Sequence, residues 1–306
     1  MRQMKNKIFM AGVGGMLGEA FKEVFEKEFD LKCTDKDVNA DWLSFLDFRD
    51  YESYRAQVKE FAPDYLFHVG AYTGLEYCEE NVDDAYLTNT ISVSYATWIA
   101  NELDIPLLYI STAGIYDGLQ ETYDDWDVPN PLGVYARSKY MGEKFVETHA
   151  KRHLILRAGW MMGGGAGKDK KFIGKLMSQI HSGTSELNIV NDKDGTPTYT
   201  VDFAKTCKSL LEREMWGLYN CVCQGETSRL EVAQELLKIL ELEDKISINE
   251  VGSEFFAEEY FAARPASERL VNKKLELMGQ NRMSPWKESL NTYVTGRFID
   301  SVQSKT

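Results

Sequence analysis

The chain has 306 residues, 43% hydrophobic and 27% charged, with a formal net charge of −13 at pH 7. That length suffices for an α/β domain with a sizeable core plus a smaller lobe, and the composition is ordinary for a soluble globular protein. The negative field argues against nucleic acid as a partner, but leaves room for a small anionic ligand held by local cations and backbone N–H groups.

In chain order, "KIFMAG" from Lys7 reads as a strand and "GMLGEAFKEVFEKEF" as a helix with apolar residues at helical spacing. "LKCTD" is a second strand, ending at Asp35. "YESYRAQVKEFAP" is a helix and "DYLFHVGA" a strand. "NVDDAYLTNTISVSYATWIANELDIP" reads as one long helix, followed by the strand "LLYIST". "PLGVYARSKYMGEKFVETHA" carries another helix, and "RHLILRAG" another strand. This alternation predicts a Rossmann-type α/β fold, a doubly wound parallel sheet covered on both faces. Beyond about residue 160 the order becomes irregular. "YTVDFAKTCKSLLERE" is a helix, "GLYNCVC" a strand returning to the main sheet, and "SRLEVAQELLKILEL" a helix that Ser228 can cap. The last helix lies near Trp286. The expected division is a cofactor domain over 1–159, joined by elements near 199–238, and a smaller substrate lobe over 160–198 and 239–306.

No apolar run reaches membrane-helix length and no signal-peptide pattern opens the chain. No membrane partner and a cytoplasmic location are therefore expected. The cysteines Cys33, Cys78, Cys207, Cys221 and Cys223 form no CxxC pair. Reduced, packing roles are expected for them, with Cys221 and Cys223 on one face of a strand. The histidines are scattered, and no metal site is expected.

Gly12, Gly15 and Gly18 are spaced GxxGxxG directly after a strand and before a helix. The first glycine permits a tight turn, the next lets a pyrophosphate approach, and the third lets helix and strand pack closely. The phosphates would meet the helix N-terminus, where free N–H groups favour anions. Asp35, at the end of the second strand, is placed for the adenosine ribose hydroxyls. Its charge favours NADH, the adjacent Lys36 softens repulsion of a 2′-phosphate, and the choice between NADH and NADPH stays open.

"VYARSKYMGEK" places Tyr135 and Lys139 one turn apart on a helix, facing one cleft. A nearby ammonium and a cationic nicotinamide would lower the phenol pKa, so that Tyr135 exchanges a proton near neutrality. In "LLYISTAGIYDG", Ser111 and Thr112 end a parallel strand, where open α/β sheets bind ligands. Thr112 can there hydrogen-bond a carbonyl oxygen beside Tyr135.

These blocks resemble the extended short-chain dehydrogenase/reductases and, within them, are similar to the dTDP-4-dehydrorhamnose reductases. The resemblance covers nearly the whole chain. It rests on "GVGGMLG", "LDFRD", "GAYTGLEYCEEN", "YISTAGIYDG", "PLGVYARSKYMGE", "LRAGWM", "NDKDGTPTYTVDFA" and "ARPASERL", in that order. It implies that Gly15, Met16 and Leu17 line the pyrophosphate, that Asp47 and Phe48 lie near the adenine, and that Ala71, Tyr72 and Thr73 flank the cofactor. It matches Thr112, Tyr135 and Lys139 to the catalytic positions, and Trp160 and Arg264 to substrate-side positions. The implied reaction sends a hydride from NADPH or NADH to the C4 carbonyl of a nucleotide-linked 4-keto-6-deoxy sugar. Tyr135 gives the proton and Lys139 supports it. One departure stands out: Ala113 follows Thr112 where the related reductases usually carry Asp. That removes a carboxylate beside the sugar and speaks against a 4,6-dehydratase. Tyr72 likewise stands where His is common.

Three readings remain open at this level: the reductase, a sugar-nucleotide 4-epimerase of the same superfamily, and a non-catalytic NADP-binding subunit like the β subunit of methionine adenosyltransferase. A homodimer is also left open. Finally, "GGGAGK" from Gly163 fails as a P-loop. Met162 stands where that spacing needs glycine, and Asp169 follows the lysine. The stretch is expected instead to wall the sugar-nucleotide site, with Lys168, Lys170 and Lys171 toward the substrate diphosphate.

Overall fold

The computed structural model describes residues 5–298. Six strands succeed one another in the first half: β1 (Lys7–Ala11), β2 (Asp30–Asp35), β3 (Ser44–Phe45), β4 (Tyr65–His68), β5 (Leu107–Thr112) and β6 (His153–Ala158). With the later strand Gly217–Asn220 they form a seven-stranded sheet in the order Gly217–Asn220, β6, β5, β4, β1, β2, β3. Every pairing in it is parallel. The chain builds β1 to β3 in one direction, then crosses back and builds β4 to β6 in the other. The switch point therefore lies between β1 and β4, where doubly wound sheets open a ligand crevice beyond the strand ends.

The strands alternate side chains between two apolar layers, as their period of two requires. Ile8 and Met10 pack with α1 (Met16–Phe25) and the helix Thr200–Glu212. Phe9 and Ala11 pack with α2 (Tyr51–Phe61), α5 (Ser92–Leu103) and α6 (Val134–His149). Capping residues fix several helix starts. Asp50 accepts from the Ser53 N–H at 3.2 Å to open α2. Ser228 and Glu231 make a reciprocal capping box on the helix Arg229–Ile239, as the sequence predicts.

Two expectations need correction. The long helix expected from Asn81 is α4 (Val82–Tyr86), a π-helical turn at Leu87–Ile91, then α5. Asn89 and Thr90 within that turn bond to Ser138 of α6, at 3.0 Å to its hydroxyl and 2.7 Å to its carbonyl, and the widened turn accommodates them. A short helix that the pattern does not announce, α3 (Leu75–Glu80), precedes it. The strand expected through Cys223 ends at Asn220, so Cys221 and Cys223 lie beyond it. Beyond the strand, the Cys221 N–H still bonds Arg157 O, while the Cys223 N–H turns to Pro197 O. All five cysteines are free and buried.

The rest of the chain forms small sheets beside the crevice. Trp160–Met162 pairs with Pro197–Tyr199, and Glu186–Val190 with Ser247–Val251. Asp194–Gly195 is flanked by Thr227–Ser228 and Ser267–Glu268. Among the described residues, no helix is long and apolar enough to cross a membrane.

Candidate active site

The three glycines of the first loop behave as their spacing predicts. Gly12 has φ +77°, and a Cβ there would overlap the Gly70 Cα at the switch point. A Cβ on Gly18 would overlap the Val13 carbonyl, so only glycine lets α1 lie this close to the loop. Gly15 caps α1 with no side-chain hydrogen bond, and no atom lies within 4 Å of where its Cβ would be. Open space thus faces the uncapped N–H groups of a helix start, with Met16 and Leu17 in its first turn. This cradle fits the phosphates of a dinucleotide.

Asp35 stands beside it. Its carboxylate accepts the Gly14 N–H at 2.7 Å and the Asp37 N–H at 2.9 Å. Around the same edge, Tyr72 receives hydrogen bonds from Lys36 at 2.8 Å and from Arg49 at 3.4 Å. Arg49 also grips Asp47 at 2.6 Å and Asp84 at 2.8 Å, and holds the Asp47 carboxyl below its ordinary range. Asp47 thus has a structural partner rather than a free carboxylate. The Phe48 ring packs on His68 at 4.8 Å and fills the space a Cβ on Gly70 would need. The segment Ala71–Tyr72–Thr73 is fixed by Asn89, which bonds both the N–H (2.9 Å) and the carbonyl (3.0 Å) of Tyr72.

The catalytic candidates converge at the C-terminal end of β5. Thr112 accepts the Gly114 N–H at 3.2 Å, and its side chain lies beside the Tyr135 ring. Lys139 is buried on the same helix face, with Nζ 2.6 Å from the Ile110 carbonyl and 4.2 Å from the centre of the Tyr109 ring. In the protein alone, burial outweighs the lowering of the phenol pKa expected from an ammonium and a nicotinamide. Burial pushes Tyr135 up to about 12, opposed by the neighbouring Thr112 hydroxyl and reinforced by Glu268. Burial also brings Lys139 down to about 7. The amine is therefore neutral where Tyr135 would ionise, so no ammonium supports the phenolate in the protein alone.

A carboxylate reaches the centre despite Ala113. The point that a Cβ on Gly114 would occupy lies 3.3 Å from Glu268 Oε1, 3.5 Å from Thr112 Oγ1 and 3.8 Å from the Tyr135 ring. Glu268 also accepts the Trp160 indole N–H at 2.7 Å. The opposite resource of Trp160, its ring face, carries the Arg229 guanidinium at 3.7 Å. Arg264 pairs with Glu76 of α3 at 2.7 Å and donates to Ala262 O, tying the C-terminal segment to the loop after β4. Glu79, also on α3, accepts the Val134 N–H at 2.7 Å where α6 begins.

The lysines of the second glycine stretch part ways, Lys168 away from the expected substrate wall and Lys171 staying in the field of Arg229 and Arg264. Lys168 reaches back to the first loop, donating to the Gly14 carbonyl at 2.8 Å and to Asn39 at 2.7 Å. Lys171 donates to the carbonyl and hydroxyl of Thr73, both at 3.0 Å. Lys170 is exposed. Arg229 and Asn89 carry no motif of their own in the sequence, whereas Glu268 lies within "ARPASERL" and Lys168 ends "GGGAGK". Arg229 has one local cue, since it follows the Ser228 cap directly. Among the described residues, no group of three or more His, Cys, Asp or Glu side chains is placed to hold a metal.

Comparison with known proteins gives the same picture. The chain is 28% identical over 292 residues to the spore coat polysaccharide biosynthesis protein SpsK of Bacillus subtilis (strain 168), covering 95% of this chain and 98% of that protein. Its fold matches a dTDP-4-dehydrorhamnose reductase of Clostridium acetobutylicum ATCC 824 with a TM-score of 0.85 and 29% identity, over 97% of this chain and 99% of that one. The dTDP-4-dehydrorhamnose reductase of Bacillus anthracis str. Ames, solved in complex with NADP, matches with a TM-score of 0.85 and 28% identity, over 95% and 99% of the two chains. The model of the family described as the RmlD substrate binding domain matches residues 5–297. The chain therefore belongs to that family, within the extended short-chain dehydrogenase/reductases.

Proposed function

We propose that this protein is an NAD(P)H-dependent oxidoreductase that reduces the C4 carbonyl of a nucleotide-linked 4-keto-6-deoxy sugar. The observation that carries the reading is the meeting of Thr112, Tyr135 and buried Lys139 at the end of β5, with the glycine cradle at the neighbouring switch point. The similarity to dTDP-4-dehydrorhamnose reductases over nearly the whole chain supports it. All three catalytic residue types stand together in one site, which favours an enzyme over a binding subunit.

The dinucleotide, NADPH or NADH, supplies the hydride when bound. Gly12, Gly15, Met16, Leu17 and Gly18 would hold its phosphates, and Asp35 its ribose. Asp47 and Phe48 would shape the adenine end, and Ala71, Tyr72 and Thr73 the flank beyond β4. Thr112 orients the sugar carbonyl. Tyr135 holds a proton on its phenol at neutral pH and delivers it to the carbonyl oxygen as negative charge develops there. Lys139 carries charge below about pH 7, where it can steady the tyrosinate left behind. Trp160 and Arg264 bound the sugar side, and Glu268 supplies the carboxylate that Ala113 does not. The substrate lobe is the assembly over 160–198 and 239–306, and the cofactor domain is 1–159 with the elements near 199–238. Exposed Leu87, Ile91 and Trp98 on the π turn and α5 offer an apolar face to a second copy of the chain.

The test is a panel of dTDP-, UDP-, GDP- and CDP-linked 4-keto-6-deoxy sugars with NADPH or NADH, read as loss of reduced-nicotinamide absorbance. Turnover of at least one is expected. No oxidation of either cofactor with any of them would reject the reading, and cofactor that copurifies in a tightly held form would point to an epimerase.

A further inference from the structure

Arg229 begins the helix Arg229–Ile239, beside Trp160. Its guanidinium lies 3.7 Å from the centre of the Trp160 ring and 4.6 Å from that of Phe172. Among the described residues, no hydrogen bond or ion pair satisfies its N–H groups. Arg49, Arg157, Arg264 and Arg269 each hold a carboxylate instead. Glu268 is the nearest acid to act on Arg229, but its Oε2 is occupied by the Trp160 indole. A partly exposed guanidinium with no protein acceptor keeps its fork of donors available to a ligand. Burial and the Arg264 charge bring its pKa down to about 10.

Further cations surround it. Lys171 feels the charges of Arg229, Lys175 and Arg264, all of which depress its own proton affinity. Arg264 pairs with Glu76 at 2.7 Å and Lys175 with Glu259 at 3.4 Å, which leaves Arg229 and Lys171, among the described residues, as the two of these four cations without an ion pair, a local invitation to an anion in a chain of net charge −13. The planar fork of Arg229, held flat by two rings, suits the paired oxygens of a phosphate. Its position also fits. One face of Trp160 carries Arg229, and the indole edge leads through Glu268 to Thr112 and Tyr135. In a nucleotide-linked sugar, the ring separates the anomeric diphosphate from the C4 carbonyl in the same way.

We infer that Arg229, stacked between Trp160 and Phe172, receives the diphosphate of the substrate. The inference rests on the keto-sugar nucleotide reading and adds to it the residue that selects a diphosphate-linked sugar. Lys171 and Arg264 shape the field around that fork, while their own hydrogen bonds to Thr73 and Glu76 tie them to the protein.

The experiment measures Kd by calorimetry for dTDP, UDP, GDP and CDP, for the matching nucleosides and for NADPH, with KM and kcat for the best keto-sugar nucleotide. Wild type, Arg229→Gln and Arg229→Lys are compared. Arg229→Gln should weaken the best nucleoside diphosphate about ten- to hundredfold, the worth of hydrogen bonds to a charged group. The nucleoside and NADPH affinities should hold, which also reports a folded protein. KM should rise with little change in kcat, and Arg229→Lys should fall between the two. A variant that binds NADPH and keeps the wild-type diphosphate affinity and KM would overturn the inference while leaving the reductase reading intact. Wild-type protein that binds no nucleoside diphosphate and reduces no member of the panel would overturn both.

Discussion

The Lys168 ammonium donates to the Gly14 carbonyl at 2.8 Å, joining two glycine-rich stretches 154 positions apart. The second stretch thus serves the first. Gly164 packs against Met16, and Lys168 crosses to the dinucleotide loop and Asn39 rather than to the sugar side. Lys168→Ala should therefore raise the KM for the dinucleotide about two- to tenfold, the range of one exposed charged hydrogen bond. The KM for the sugar nucleotide should stay put. A rise confined to the sugar nucleotide would return Lys168 to the substrate wall.

The pH behaviour of the site follows from Lys139. Burial lowers its pKa from 10.5 to about 7. If its charge steadies the tyrosinate during reduction, kcat/KM for reduction should fall as pH rises through about 7. Tyr135, held up at about 12, should stay protonated over that range and add no alkaline limb of its own. Lys139→Met should remove the inflection near 7 along with most of the activity. The stability sign is fixed by linkage. Between about 7 and 10.5 the unfolded chain binds the extra proton, so this group makes stability increase with pH across that window. The thermal advantage of Lys139→Met over wild type should accordingly be largest below pH 7 and shrink toward 10.5. A pH-independent difference would contradict the assignment.

Helix α6, which carries both catalytic candidates, is pinned to β6 by a buried ion pair. Arg157 donates to Glu143 at 2.6 and 3.0 Å and to the Tyr116 hydroxyl at 2.7 Å. Glu143→Gln strands a buried guanidinium and should cost about 3–5 kcal/mol. Glu143→Met with Arg157→Met should lose less than that single change, since no charge is left unpaired. Denaturation midpoints of the three proteins decide it, and a double variant weaker than Glu143→Gln would show that the pair is worth more than its desolvation.

Much of the cofactor half is legible in the sequence because its signals are local. Gly12 and Gly18 are needed where the backbone turns or packs, and Tyr135 and Lys139 are one helical turn apart. Ser228 announces its own cap. The substrate half is less legible because its contacts come from distant strands. Trp160, Arg229 and Glu268 meet only once Asp194–Gly195 pairs with both Thr227–Ser228 and Ser267–Glu268. No spacing in the sequence records that. The π turn at Leu87–Ile91 escapes for another reason: one extra residue in a turn leaves the apolar pattern of a long helix almost unchanged. The phenol pKa escapes because the sequence places Lys139 near Tyr135 but cannot say that burial will discharge it first.

The central claim is that Tyr135 is the proton donor in a hydride-transfer site. The most direct measurement is single-turnover reduction of the best keto-sugar nucleotide by wild type and Tyr135→Phe, with cofactor Kd determined for both. A loss of about 10²- to 10⁴-fold in the chemical step, with cofactor affinity retained, is predicted. An unchanged rate in a variant that binds cofactor normally would contradict it.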